Sequence, residues 1–286
     1  MIKCIFSTDL HGNIKKFDKF FDYILKEKPD IVFLGGDILP SGISAFTGSD
    51  TNSNFIDGYL KNKLLTIKTE LKNNYPRFYT IMGNDDPKIY EEDILRLDKE
   101  NLLEYINQKI VNYKNYNIVG YSYVPPTPFS LKDWEKYDVS RYVDPGCTSP
   151  EEGYRTVEEP INIIRFSTIE KDINTLTEKL SIENSIFLFH SPPYKTNLDR
   201  INTHGRMIDY VKIDENVGSI AIKKFIEAKQ PLITLHGHIH ESAQISGKWY
   251  ELIGRTICIN GAHQGQELSI VRINIGDEIS FDRILI

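Results

Sequence analysis

His236-Gly237-His238-Ile239-His240 sets three of the chain's seven histidines on alternate positions directly after the apolar run Leu232 to Leu235. On extended backbone alternate side chains share a side, so the three imidazoles would face one place. Buried imidazoles without partners are costly, and metal ligation is the usual resolution. The same arrangement, an apolar run closing on ligand-type residues, recurs upstream. Ile2 to Phe6 precedes Asp9 and His11, Ile31 to Leu34 precedes Asp37, Phe78 to Met82 precedes Asn84 and Asp85, and Ile186 to Phe189 precedes His190. Such short runs, bounded by Gly, Pro or polar residues, read as buried strands.

Helical spacing fills the intervals. Phe17, Phe20, Phe21, Ile24 and Leu25 follow a candidate Asn13 cap; Leu60, Leu64, Leu65, Ile67 and Leu71 repeat the pattern, as do Ile169, Ile173, Leu176 and Leu180. Ser219 to Ala228 puts Ile222, Phe225 and Ile226 on one helical face. Strand and helix in alternation predict an α/β fold. In open α/β sheets ligands bind in the crevice beyond the carboxyl ends of the strands, so five such ends would converge their side chains.

Composition sets the bounds. The 286 residues are 40% hydrophobic and 26% charged, which excludes disordered, collagen-like and coiled-coil chains. Lys and Arg number 34 against 40 Asp and Glu, a net charge of −6 without a basic run. An extended nucleic-acid surface is therefore not expected, and a nuclease would require a basic groove. Divalent cations could still draw an anionic substrate to an acidic chain. Cys4, Cys147 and Cys258 are isolated, which suggests neither a disulfide framework nor a thiolate zinc site. No segment approaches the roughly 18 apolar residues of a membrane span, and the first apolar run is too short for a signal core, so a cytoplasmic protein without membrane partners is expected.

No repeat or linker divides the chain, so one domain over 1–286 is expected. Residues 121–160, with Tyr121, Tyr123, Trp134, Tyr137, Tyr142 and Tyr154, form either a lid over a substrate or an insertion packed by its own aromatics. The polar stretch Ser41 to Asn54 reads as a loop. Glu267 to Ile275, a Gly276-Asp277 turn and Ile279 to Ile286 read as a C-terminal β-hairpin closing one sheet.

Each motif alone has a plain structural reading: Gly83-Asn84-Asp85-Asp86-Pro87 as an Asx-rich turn capping a helix, His190-Ser191-Pro192-Pro193 as a strand before a rigid turn. Together and in order, Asp9-Leu10-His11, Gly36-Asp37, Gly83-Asn84-Asp85, His190 and Gly237-His238-Ile239-His240 resemble the calcineurin-like metallophosphoesterase superfamily over nearly the whole chain. Gly35 to Pro40, Asp199, Gly254-Arg255-Thr256 and Asn260-Gly261 resemble its small prokaryotic branch.

The resemblance implies a four-layer α/β/β/α sandwich carrying two divalent ions. It implies that Asp9, His11, Asp37 and His240 hold one, and that Asp37 bridges to a second held by Asn84, His190 and His238. Carboxylate, amide and imidazole donors suit Mn, Fe, Zn or Ni, and the metal's identity stays open. The implied activity is hydrolysis of a small phosphate ester, more readily a phosphodiester, by water activated between the ions. Asp37, Asn84 and Asp85 are the expected catalytic residues, and Asp85, His236 and His263 the expected substrate contacts; Arg200 and Arg206 are within reach of a phosphate. A cyclic-nucleotide phosphodiesterase, its base stacked on the tyrosines of 121–160, and a non-catalytic protein-binding scaffold are the alternatives. The oligomeric state is open.

One departure stands out. Many relatives carry histidine where this chain has Asp85, with a role at the leaving group. A carboxylate serves as that acid only if burial raises its pKa, and neighbouring metal cations push it down. Asp85 is thus a poor copy, and His236 or His204 are the candidate substitutes.

Overall fold

In the computed structural model, which describes residues 1–40 and 51–286, the apolar runs become strands because both of their faces are covered. Strand β1 (Ile2–Ser7) sends Ile2, Cys4 and Phe6 into one core and Ile5 into another, and β2 (Ile31–Gly35) divides Ile31 and Phe33 from Val32 and Leu34 in the same way. This alternation is the signature of a sheet buried on both sides. One core fills the space between two six-stranded sheets; the other packs the outer sheet faces against helices. The result is the expected α/β/β/α layering.

The first sheet joins β1, β2, β3 (Arg77–Ile81) and β4 (Glu104–Tyr105) in parallel. Its other side is closed by β13 (Ser269–Ile275) and β14 (Ile279–Leu285), the C-terminal hairpin read from the sequence, with β13 antiparallel to β1. The second sheet is built from β5 (Lys109–Tyr113), β6 (Tyr116–Tyr121), β7 (Ser185–Phe189), β10 (Ile233–His236), β11 (Tyr250–Ile253) and β12 (Thr256–Asn260). Within it β6, β7, β10 and β12 run parallel. A short hairpin, β8 (Met207–Ile208) and β9 (Val211–Lys212), stands apart.

Helix Ile14–Glu27 buries Phe17, Phe20, Phe21 and Ile24, and the Asn13 side chain accepts from the Lys16 N–H at 3.2 Å as the N-cap. Helices Ile169–Thr177 and Ile220–Lys229 are capped by the Thr168 and Ser219 hydroxyls. The loop expected over Ser41 to Asn54 needs correction. Its first ten positions, 41–50, lie outside the described residues, but Thr51–Ser53 is helical and continues through a π-helical stretch, Asn54–Leu60, into helix Lys61–Leu71. Phe55, Ile56 and Leu60 bury one side of this stretch, with the Phe55 ring 5.3 Å from Phe17, which outweighs the polar composition of its start. Among the described residues no helix is long and apolar enough to cross a membrane.

Residues 121–160 pack into the body of the protein. Tyr121, Tyr123, Trp134 and Tyr137 are buried, with the Tyr121 hydroxyl donating to Asp172 and that of Tyr137 to Glu151. These tyrosines are therefore not available to stack a base, whereas Tyr142 and Tyr154 are exposed. Beneath the segment Lys132 and Glu135 form a fully buried ion pair at 2.6 Å, and Thr127 donates its N–H and hydroxyl to the same carboxylate. The outer turn of the segment and the β8–β9 hairpin border an open cleft of about 550 Å³ lined by Tyr137, Cys147 and Ile208 among others.

Burial pushes the Glu135 carboxyl from 4.5 up to about 7, against the pull of Lys132. Between these values the native state keeps a proton that the unfolded chain has released, so this group's contribution to stability falls as pH rises through that window. Removing Lys132 takes away the cation that holds this pKa down, so the buried acid stays neutral to higher pH and must ionise without its partner only under alkaline conditions. Lys132→Met is expected to destabilise the protein by about 3–5 kcal/mol at alkaline pH, with a smaller loss under acid conditions; urea unfolding on both sides of neutrality measures the difference.

Candidate metal centre

Because β1, β2 and β3 run parallel, the segments that follow them leave the first sheet at one edge, and those after β7 and β10 leave the second sheet likewise. Backbone hydrogen bonds join these segments. Asp9 N–H donates to the Gly36 carbonyl at 3.0 Å, His11 N–H to Asp37 at 2.8 Å, and Gly237 N–H to His190 at 2.9 Å. Asp9, His11, Asp37 and His238 all occupy the left-handed region, with φ of 57°, 45°, 49° and 67°. Asp and His tolerate it better than most residues, and such strain concentrates at functional sites. Gly83 and Gly237 are required sterically: a Cβ on Gly83 would collide with the Asp37 carboxylate, and one on Gly237 with the Thr8 hydroxyl.

One ligand atom each from Asp9, His11, Asp37 and His240 lies within 4.8 Å of the others. His240 Nε2 is 3.0 Å from Asp9 Oδ1, and His11 Nε2 is 3.3 Å from His240 Nε2. On the other side of Asp37, His190 Nε2 lies 3.3 Å from Asp37 Oδ2 and 3.1 Å from Asn84 Oδ1. The His190 Nδ1–H donates to the Gly35 carbonyl at 2.8 Å, so Nε2 is the nitrogen that carries the lone pair whenever the ring is neutral. The His238 ring sits 5.4 Å from that of His190, and the His238 backbone N–H donates to both Asp9 oxygens at 3.0 and 3.2 Å. All seven expected ligands thus gather at one edge.

Burial alone would raise both carboxylates, but it is outweighed. The charges of His240 and His190 hold Asp9 below its usual value, and those of His190 and His11, with the Asp85 N–H, hold Asp37 well below it. For the imidazoles burial lowers the pKa, yet the Asp85 hydrogen bond and the surrounding carboxylates lift His11 to about 9, and Asp37 and Asp9 lift His190 to about 9. His238 is pushed down to about 3 by burial and stays neutral. The carboxylates are ionised, the imidazole nitrogens face them, and all donors are oxygen or nitrogen. That set fits a divalent transition metal.

Other expectations need revision. His236 does not join the cluster: it is the last residue of β10, fully buried, with Nδ1–H donating to Ser191 at 2.8 Å and Nε2 accepting from the Thr234 hydroxyl at 2.7 Å. Both nitrogens being used inside the fold, it neither contacts substrate nor replaces a missing acid. The alternate spacing misleads here because the strand ends at His236 and the chain turns at His238. Asp85 faces His11, with Oδ2 3.2 Å from Nδ1. His263 pairs with Glu267 at 3.3 Å and Arg200 with Glu215 at 2.7 Å, while His204 and Arg206 are exposed.

Asp86 is the residue that sequence reasoning passed over. Completely buried, it accepts from the N–H groups of Gly83, Ile38 and Leu39 at 2.9, 3.2 and 2.8 Å, tying the Asp37 and Asn84 segments together. Trp134 of the 121–160 segment donates its indole N–H to the Asp86 carbonyl at 2.8 Å. A second carboxylate beside Asp85 in an Asx-rich turn was the only trace of this role.

A family model described as calcineurin-like phosphoesterase matches residues 2–242. No curated protein matches the chain. Among solved structures, a Thermus thermophilus protein superposes with a TM-score of 0.56 at 14% identity, covering 98% of each chain. A dimetal phosphatase from Danio rerio gives 0.57 at 11% identity, covering 99% of this chain and 95% of its own. At these identities the likeness is one of fold.

Ligating nitrogens must be deprotonated, so metal competes with the protons of His11 and His190. Metal affinity is expected to climb as pH rises towards about 9 and to level off above it. Chelator competition across that range measures this, and an affinity indifferent to pH would remove both histidines from the ligand set.

Proposed function

Because the chain belongs to the calcineurin-like phosphoesterase family, whose members hydrolyse phosphoester bonds, we propose that it is a phosphodiesterase working with two divalent metal ions. The observation that carries this reading is the position of Asp37. Its Oδ2 is 3.3 Å from His190 Nε2 on one side and 4.0 Å from His11 Nε2 on the other, as a carboxylate shared between two sites would be. Asp9, His11, Asp37 and His240 would hold one ion, and Asp37, Asn84, His190 and His238 the other. When bound, such ions supply Lewis acidity and make hydroxide available near neutral pH.

The chain's own groups set the rest. Asn84 Oδ1 is turned to His190, so the Asn84 amide is oriented before substrate arrives. Asp37 accepts the Asp85 N–H at 2.8 Å on Oδ1, which leaves Oδ2 directed between the two histidines. With Asp85 engaged by His11 and His236 buried, neither is placed to protonate a leaving group. Esters of acidic alcohols, which depart without a proton, are accordingly the better substrates. The protein-binding scaffold is the reading to which a metal-loaded but inert protein would return.

The test is to strip the metals, restore Mn, Fe, Zn or Ni one at a time, and compare bis-nitrophenyl phosphate with nitrophenyl phosphate. Metal-dependent turnover faster on the diester is expected, falling by at least about 10³-fold in Asp37→Ala because both metal positions lose a ligand. Two ions bound per chain with no hydrolysis of either ester would refute the reading.

A further inference from the structure

We propose that Asp85 is a positioning residue for the metal, fixing the His11 ring so that Nε2 faces Asp9, Asp37 and His240. This rests on the metal-centre reading above. The two nitrogens of an imidazole lie on different sides of the ring, so a bond made by one directs the other. His11 Nδ1 is 3.2 Å from Asp85 Oδ2, while Nε2 is 3.3 Å from His240 Nε2 and 4.0 Å from Asp37 Oδ2. A carboxylate accepts and does not donate, so the proton of the neutral ring belongs on Nδ1 and the lone pair on Nε2.

His11 and His190 are held in different ways. His190 is fully buried and held by a backbone carbonyl, that of Gly35. The His11 side chain is 32% exposed, and its backbone is at φ 45°. Its orientation depends on a side-chain acceptor. Asp85 is well anchored for that purpose: its N–H donates to Asp37 Oδ1 at 2.8 Å, and the next residue, Asp86, is tied to Gly83, Ile38, Leu39 and Trp134. The carboxylate is thus held in place from the opposite side of the cluster. Carboxylate partners of this kind fix the tautomer of a ligating histidine and are worth about 10–100-fold in metal affinity.

The assignment separates Asp85 from a proton donor to the leaving group. An acid is abolished by Asp85→Asn, whereas an acceptor for the Nδ1–H is largely kept, since the amide oxygen still accepts. Asp85 is partly exposed and its backbone bond to Asp37 does not depend on the side chain, so truncation leaves the fold intact. Asp85→Ser provides a second truncation should Asp85→Ala not fold. Mn affinity is measured by chelator competition on wild type, Asp85→Ala, Asp85→Ser and Asp85→Asn, and turnover of bis-nitrophenyl phosphate is followed as Mn is raised to saturation.

The expected result is a loss of about 10–100-fold in Mn affinity on truncation, recovery of most of it in Asp85→Asn, and turnover in the truncated variants that returns towards wild type at saturating Mn. Mn affinity in the truncated variants within twofold of wild type overturns the proposal, as does an Asp85→Asn variant no better than Asp85→Ala. The affinities alone decide it. If they follow the expected order while no ester is hydrolysed, the positioning role stands and the phosphodiesterase reading falls; unchanged affinities with active enzyme give the reverse.

Discussion

Two carboxylates, Asp9 and Asp37, are 5% and 3% exposed and repel one another at the ends of two neighbouring strands of the first sheet. Carrying charge out of water is expensive unless it is paired and hydrogen-bonded. Much of the surrounding structure meets that demand. The Thr8 hydroxyl and the His238 backbone N–H donate to Asp9, the Asp85 N–H donates to Asp37, and the imidazoles of His11, His190 and His240 face the carboxylate oxygens. The left-handed backbone at Asp9, His11, Asp37 and His238, and the glycines at 83 and 237, follow from fitting so many groups around two anions.

The division of labour between the sheets has a chemical pattern. The first supplies both carboxylates, the Asn84 amide and one imidazole; the second supplies His190, His238 and His240. Neither holds a complete ligand set. Their alignment depends on parallel strands that end together and on Asp86, which locks two segments of the first sheet through three backbone N–H groups. Residues 121–160 complete this support through Trp134 and the buried Lys132–Glu135 pair, so the segment acts as a buttress.

The layering and the donor set were legible because both rest on local signals: two-residue alternation in strands, helical spacing between them, and ligand residues just past the strand ends. Asp9, His11, Asp37, Asn84, His190, His238 and His240, singled out this way, lie together at one edge of the fold. His236 was misread because periodicity assumes the strand continues, and the backbone leaves it one residue before His238 turns. The use of Asp85 and Asp86 was hidden, since two adjacent carboxylates look alike until the fold gives one to an imidazole and the other to backbone amides. Thr51 to Asn54 was misjudged on polarity, although Phe55 and Ile56 decide its conformation by packing.

The bond between His240 and Asp9 joins residues 231 positions apart. Closing so long a loop is entropically unfavourable before the chain has collapsed, and contacts of this separation form late. His240 follows β10, which lies between β7 and β12 in the second sheet, whereas Asp9 follows β1, the first strand of the other sheet. A site shared by Asp9 and His240 is therefore complete only once both sheets are assembled, so it cannot be the nucleus from which the chain folds.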